Sequence, residues 1–178
     1  MALTVLPVIT GPAQAADAFL SATGTFTADG AEENFNVTFT DPSAAGTTFR
    51  TWAWGGGTNV AGDSIPSGGI DSTIEVFNSA NQSIAFNDDR GANQRDSLLC
   101  NTGTGLTFMP PLGSGDYRFN MSNSFLALGD GHWAADIVRT GAHLQLNSRT
   151  SHDTTLATLK FGAANFTGTA LRFFFMKQ

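Results

Sequence analysis

Apolar and polar residues alternate with a period of two along most of the chain from Ala22 onward. Gly, Asn, Asp, Ser and Pro separate these short runs, as they do at turns between strands. Alternation of this kind is typical of strands that bury one face. No stretch keeps a helical period over three turns. The alternating positions are Phe35, Val37 and Phe39; Phe49, Thr51 and Ala53; Ile74 and Val76; Ile84 and Phe86; Tyr117, Phe119 and Met121; Trp133, Ala135 and Ile137.

This pattern predicts an all-β protein in which many short strands form an antiparallel sandwich or barrel. The 178 residues suit one domain, which we expect to span residues 16–178. Residues 1–15 are interpreted as the remnant of a secretory signal peptide, because the apolar run 3–9 leads to small residues that end at Ala15. The alternative is an N-terminal edge strand.

Composition narrows the classes of function. The net charge of −6 and the pI near 4.7 leave no basic surface for nucleic acid. The apolar runs at the two ends are too short for a transmembrane helix. One cysteine excludes an intrachain disulfide framework and a cysteine-rich zinc site. Together with the interpreted signal-peptide remnant, the composition favours a secreted protein that does not bind nucleic acid and has no transmembrane segment.

Carboxylates collect beside two predicted strands. Asp71 precedes the strand predicted at 72–77, and Asn87, Asp88 and Asp89 follow the strand predicted at 83–86. If the two strands form a hairpin, these carboxylates meet at its open end, and Asp96 follows a few residues later. Like charges so close together repel one another and shift each other's pKa values.

A divalent cation would relieve that repulsion. Calcium suits the cluster best, because it takes six to eight oxygen ligands in irregular geometry, including amide and backbone carbonyl oxygens. The spacing is not that of an EF-hand, since Arg90 occupies the third position of a loop that starts at Asp88. The alternative is that these residues are ordinary solvated turn residues.

Trp52 and Trp54 lie two positions apart and therefore on one face of their strand. Exposed, they could stack on the sugar rings of a carbohydrate; buried, they would fill the core, which is the commoner role. The chain has no Gly-x-Ser-x-Gly elbow, no zinc spacing among its histidines and no phosphate-binding glycine motif. We therefore expect the protein not to be an enzyme.

Several ordered motifs together resemble a known family: TFRTWAWGGGTNVAG (48–62), IPSGGID (65–71) ahead of IEVF (74–77), IAFNDD (84–89), DSLL (96–99), GDY (115–117) and GHWAADI (131–137). This family comprises secreted bacterial β-sandwich domains associated with exosortase-sorted (PEP-CTERM) proteins, and it is similar to bacterial pre-peptidase C-terminal domains. The resemblance covers residues 22–137. It leaves 100–111 as an insertion and 138–178 as additional C-terminal strands.

The resemblance implies a jelly-roll-like antiparallel β-sandwich with a calcium site in its loops, located at the cell surface or outside the cell. The ligands that it implies, carried over by position, are Asp71, Asn87, Asp88, Asp89 and Asp96.

The resulting prediction is a secreted, calcium-stabilised β-sandwich with a non-catalytic binding or structural role at the cell surface or in the extracellular matrix. One alternative is a carbohydrate-binding module that uses Trp52 and Trp54 on an extracellular glycan. Another is a self-assembling filament or surface-layer subunit, in which the apolar segment 171–176 pairs with a second copy. That segment does not alternate, so it needs cover on both faces, either from a second molecule or from the insertion 100–111.

Overall fold

The computed structural model describes residues 17–41, 46–91, 94–125, 131–141 and 143–164. Regular structure in these residues consists of strands and a single turn of 3-10 helix, Gly105–Thr107. The strands are β1 (Asp17–Phe26), β2 (Glu32–Phe39), β3 (Thr47–Trp52), β4 (Gly57–Thr58), β5 (Ser64–Ile65), β6 (Asp71–Asn78), β7 (Ser83–Asn87), β8 (Leu98–Cys100), β9 (Gly115–Phe125), β10 (His132–Arg139), β11 (Leu144–His152) and β12 (Thr154–Ala164).

Two five-stranded antiparallel sheets pack face to face. Sheet A has the order β12-β1-β10-β3-β8, and sheet B has the order β11-β2-β9-β6-β7. From β8 onward each successive strand lies in the opposite sheet, so the chain crosses between the layers repeatedly. The predicted all-β, jelly-roll-like antiparallel sandwich is confirmed.

The core lies between the two sheets and follows the predicted alternation closely. Phe119 of β9 is fully buried in this core. Its ring makes edge-to-face contacts with Phe39 of sheet B, at 6.0 Å between ring centroids, and with Phe49 of sheet A, at 5.3 Å. Such aromatic pairs stabilise a core beyond the area that they bury. These rings tie the two sheets together.

Strand β7 departs from the predicted pattern. Ala85 and Asn87 face the core, whereas Phe86 is 54% exposed. The reason is a register shift beside Phe77: Val76 pairs with Ala85, and the next pair joins Phe77 to Ser83. Paired residues of antiparallel strands point to the same face, so the buried Val76 places Ala85 in the core.

The segment 55–69, which contains the two-stranded β4–β5 hairpin, lies against the outer face of sheet A, where Val60 bonds to Asp136 of β10 and Asp63 accepts from Lys160 of β12. This cover buries Asp136 of β10, whose carboxylate accepts hydrogen bonds from Ser21 Oγ at 2.6 Å and from the backbone N–H of Val60 at 2.9 Å. A buried charge is tolerated only when such partners surround it. The same cover shapes the surroundings of the two tryptophans.

The described residues after β10 form two further strands of the sandwich, β11 and β12. β11 pairs with β2 in sheet B, and β12 pairs with β1 in sheet A, so each closes one edge of its sheet. The predicted signal-peptide remnant, residues 1–15, and the predicted assembly strand, 171–176, lie outside the described residues. Within the described residues, no helix is long and apolar enough to cross a membrane.

Candidate metal centre

Three carboxylates meet at the open end of the β6–β7 hairpin. Asp71 is the first residue of β6, and Asp88 and Asp89 directly follow the end of β7. One oxygen from each of the three carboxylates lies within 4.8 Å of the other two. Asp71 is half-buried, and the other two are exposed. The hairpin that the sequence predicts therefore does bring these carboxylates together.

Buried hydroxyl groups form the floor beneath the cluster. Ser72, Thr51 and Ser97 are fully buried, although they stand where a sandwich core is usually apolar. The hydroxyls of Thr51 and Ser72 lie 2.6 Å apart, and the backbone N–H of Ser97 donates to Thr51 Oγ1 at 2.8 Å. These bonds join both sheets to the loop that follows β7.

Ser97 also fixes the acidic loop directly. Its hydroxyl lies at hydrogen-bond distance from the carbonyl oxygens of both Ser72 and Asp88. The first carbonyl is next to Asp71 in the chain, and the second belongs to the cluster itself. Because one buried side chain holds both segments, the separation of the carboxylates is set by the fold and not by flexible turns.

Asn87 is placed as a loop anchor. Its side chain is 1% exposed, its Oδ1 accepts the backbone N–H of Leu98 at 3.0 Å, and its Nδ2 donates to the carbonyl oxygens of Asp89 and Leu106. The side-chain oxygen that the resemblance assigns to the metal is thus engaged with the backbone. Asn87 orients Asp89 through the main chain.

Asp96 lies outside the group of three carboxylates. Its Oδ1 accepts the backbone N–H of Ala53 at 2.7 Å, and its Oδ2 accepts that of Gly55 at 3.0 Å. Burial raises the pKa of Asp96, while these backbone hydrogen bonds and the nearby Arg50 oppose the rise. The carboxylate therefore fastens the end of β3 to the start of β8.

Among the described residues, Arg95 forms an ion pair with the cluster. Its Nη1 donates to Asp71 Oδ2 at 3.0 Å. Burial raises the pKa of Asp71, Arg95 opposes that rise, and the charges of Asp89 and Asp88 add to it. Within the described residues, the Arg95 guanidinium is thus paired with one of the three carboxylates, that of Asp71.

The two tryptophans lie outside the inter-sheet core, so the core interpretation is wrong for both. Both are half-buried: Trp52 ends β3 and lies against Gly57 of the segment 55–69, and Trp54 lies two residues beyond the strand. Trp52 donates from Nε1 to Asp136 at 2.7 Å, and the guanidinium of Arg50 lies 3.3 Å from its ring centroid. The guanidinium of Arg95 lies 4.7 Å from the centroid of Trp54. Arginines therefore lie over both rings.

The three carboxylates offer hard oxygen donors with a net negative charge, which suits a hard divalent cation. The donor set does not by itself separate calcium from magnesium. No protein-family model matches the chain, and no curated protein matches its sequence. The function is therefore argued from the site and from the fold that holds it.

Proposed function

We propose that the protein is a secreted, calcium-stabilised β-sandwich with a non-catalytic binding or structural role at the cell surface or in the extracellular matrix. The observation that carries the proposal is the convergence of Asp71, Asp88 and Asp89 at one hairpin end. The fold holds these carboxylates close together despite their mutual repulsion. A bound cation would attract all three carboxylates. It would stabilise the folded state and not the unfolded state, because the carboxylates lie together only in the folded state.

Calcium is preferred to magnesium because of what surrounds the carboxylates. Magnesium requires a near-ideal octahedron, whereas calcium accepts irregular sets of carboxylates, backbone carbonyls and water. Asp88 and Asp89 are exposed, which leaves room for water in the coordination shell. The resemblance to secreted sandwich domains with a loop calcium site supports the same choice and supports the extracellular location.

Calcium is expected to raise the melting temperature of the wild-type protein, and a chelator is expected to reverse the increase. At a hundredfold excess over its dissociation constant, a ligand that binds only the folded state stabilises it by about 2.7 kcal/mol. Thermal melts with EDTA, with calcium and with magnesium measure the effect. We expect the Asp88→Asn and Asp89→Asn variants to lose most of the calcium-dependent increase.

A matched control is Asp153→Asn, which removes the same charge from the turn between β11 and β12 and which should keep the full calcium response. In EDTA, Asp88→Asn should melt no lower than the wild type, because the substitution relieves repulsion within the cluster. This comparison separates loss of a ligand from damage to the fold. A wild-type melt that calcium leaves unchanged, or an equal response in Asp88→Asn, contradicts the calcium site.

A further inference from the structure

A small cavity of about 190 Å³ opens at the end of β3, next to the loop that carries the acidic cluster. Its walls are the side chains of Arg50, Trp54, Arg90, Gln94 and Asp96, together with two glycines. The volume is below the 300–1,000 Å³ typical of sites for drug-sized ligands. The cavity therefore has room for a single small unit, such as one sugar residue.

The two arginines in this cavity differ from the other arginines that the structure describes. Four of the six donate hydrogen bonds to side chains or backbone carbonyls: Arg95, Arg118, Arg139 and Arg149. Within the described residues, the side chains of Arg50 and Arg90 make no hydrogen bond and no ion pair; Arg90 is exposed, and the guanidinium of Arg50 lies over the ring of Trp52. The guanidinium donors that line the cavity therefore have no acceptor among the described residues, so a ligand that offers an acceptor can bind to them.

The charges around Arg50 also favour an anion in the cavity. Burial lowers the pKa of the Arg50 guanidinium, and the positive charge of Arg90 lowers it further. Asp96 and Asp136 oppose this effect, but the oxygens of both carboxylates already accept hydrogen bonds from other groups. Two cations are thus held near each other in a protein whose net charge is −6. An oxyanion between them would relieve their repulsion and accept their hydrogen bonds.

We propose that this cavity binds an acidic sugar, with Arg50 and Arg90 holding its carboxylate and Trp54 contacting its ring. Planar guanidinium groups pair with carboxylates through two parallel hydrogen bonds. An aromatic wall offers an apolar surface for a sugar ring, and the Gln94 amide can bond to a hydroxyl group. The inference deepens the proposed binding role by naming a ligand class, and it does not require calcium at the acidic cluster.

The structure also links the cavity to the cluster. Arg95 lies over the ring of Trp54 and donates to Asp71, so one side chain contacts both the cavity wall and a carboxylate of the cluster. Arg90 directly follows Asp89 in the same loop. Calcium at the cluster would hold that loop in place. We expect calcium to act on binding of the sugar only through the position of Arg90, so binding should persist in EDTA.

The test uses the full chain and D-galacturonate, titrated by NMR chemical shifts or calorimetry in EDTA and again in calcium. Galactose supplies the neutral ring, acetate supplies the carboxylate alone, and glutamate supplies an acidic group from a peptide source. We expect galacturonate to bind more tightly than all three. Arg90→Gln should weaken its binding about tenfold or more, since hydrogen bonds to charged groups carry that much free energy.

The matched control is Arg118→Gln, which removes one positive charge from sheet B, away from the cavity. It should leave the affinity for galacturonate unchanged. Arg90→Gln should melt like the wild type, because its side chain supports no described hydrogen bond. Arg50→Gln serves as the second variant at the cavity.

Three outcomes overturn the assignment: no binding of galacturonate, equal binding of galactose, or equal binding of acetate or glutamate. A fourth result would also overturn the assignment: loss of galacturonate binding in EDTA for the wild type, and loss of binding in calcium for Asp88→Asn. The sugar would then be a ligand of the metal and not of the arginines. The two proposals can fail separately: calcium can leave the melting temperature unchanged while galacturonate still binds in EDTA.

Discussion

Replacing Phe119 with alanine is expected to lower the free energy of unfolding by about 3–5 kcal/mol. Phe119 is fully buried in β9, the central strand of sheet B, and its ring contacts aromatic rings from both sheets. Truncation removes the apolar contacts and leaves a cavity between two sheets that cannot close around it. Urea denaturation at fixed calcium concentration measures the loss.

Phe86→Ala provides the matched control. Phe86 lies on β7 of the same sheet, but its side chain is 54% exposed and points away from the core. Its truncation should change the free energy of unfolding by less than about 1 kcal/mol. The alternation predicted from the sequence at Ile84 and Phe86 would place Phe86 in the core. If Phe119→Ala and Phe86→Ala lower the free energy of unfolding equally, the register of β7 in the structure is contradicted.

Much of the core could be predicted from the sequence, because side chains in a strand alternate strictly between its two faces. Phe35, Val37 and Phe39 are buried as predicted, as are Trp133 and Ile137. The prediction failed at β7 for a physical reason. The register shift beside Phe77 depends on how β6 and β7 pair. The alternation within one strand does not predict a bulge that arises from pairing with another strand.

The candidate metal centre was predictable where it depends on local geometry alone. Asp71 and the pair Asp88 and Asp89 flank one hairpin, and the ends of a short hairpin must meet. The roles of Asn87 and Asp96 depend on backbone groups that are distant in the chain. Asp and Asn are common in turns, where they bind backbone N–H groups, so their sequence signal is the same for a metal ligand and for a loop anchor.

The two tryptophans show a second limit. The period of two correctly places Trp52 and Trp54 on one face, but it does not state which layer covers that face. The cover is the segment 55–69, which reads in the sequence as a glycine-rich loop. Its position over sheet A depends on long-range contacts, such as the hydrogen bond from Val60 to Asp136. The cavity arginines were missed for the same reason.

A buried ion pair was also missed, although its signal is present. Glu33 stands two residues before Phe35 and therefore shares its inward face. A register shift in β11, between Leu146 and Ser148, turns Arg149 to the same side, where it pairs with Phe35 across the strands. Arg149 Nη2 donates to Glu33 Oε2 at 2.7 Å, and its Nε lies 2.6 Å from Oε1.

The burial of Glu33 should make the protein less stable as the pH rises. Burial raises the pKa of Glu33 from 4.5 to about 7, and the hydrogen bond and charge of Arg149 oppose the rise. The folded state therefore holds the proton more tightly than the unfolded state does. The contribution of Glu33 to the free energy of unfolding is fully present below pH 4.5, and about 3 kcal/mol of it should be lost as the pH approaches 7 and passes it.

Urea denaturation between pH 4 and pH 8, without calcium, measures this fall, and Glu33→Gln identifies its source. Glutamine keeps the shape and the acceptor oxygen but never ionises, so the variant should match the wild type near pH 4.5 and exceed it in stability at pH 8. A shallower fall should remain in the variant, because burial also raises the pKa values of Asp96 and Asp136. If Glu33→Gln keeps the full wild-type slope, Glu33 ionises normally, and Arg149 compensates the burial completely.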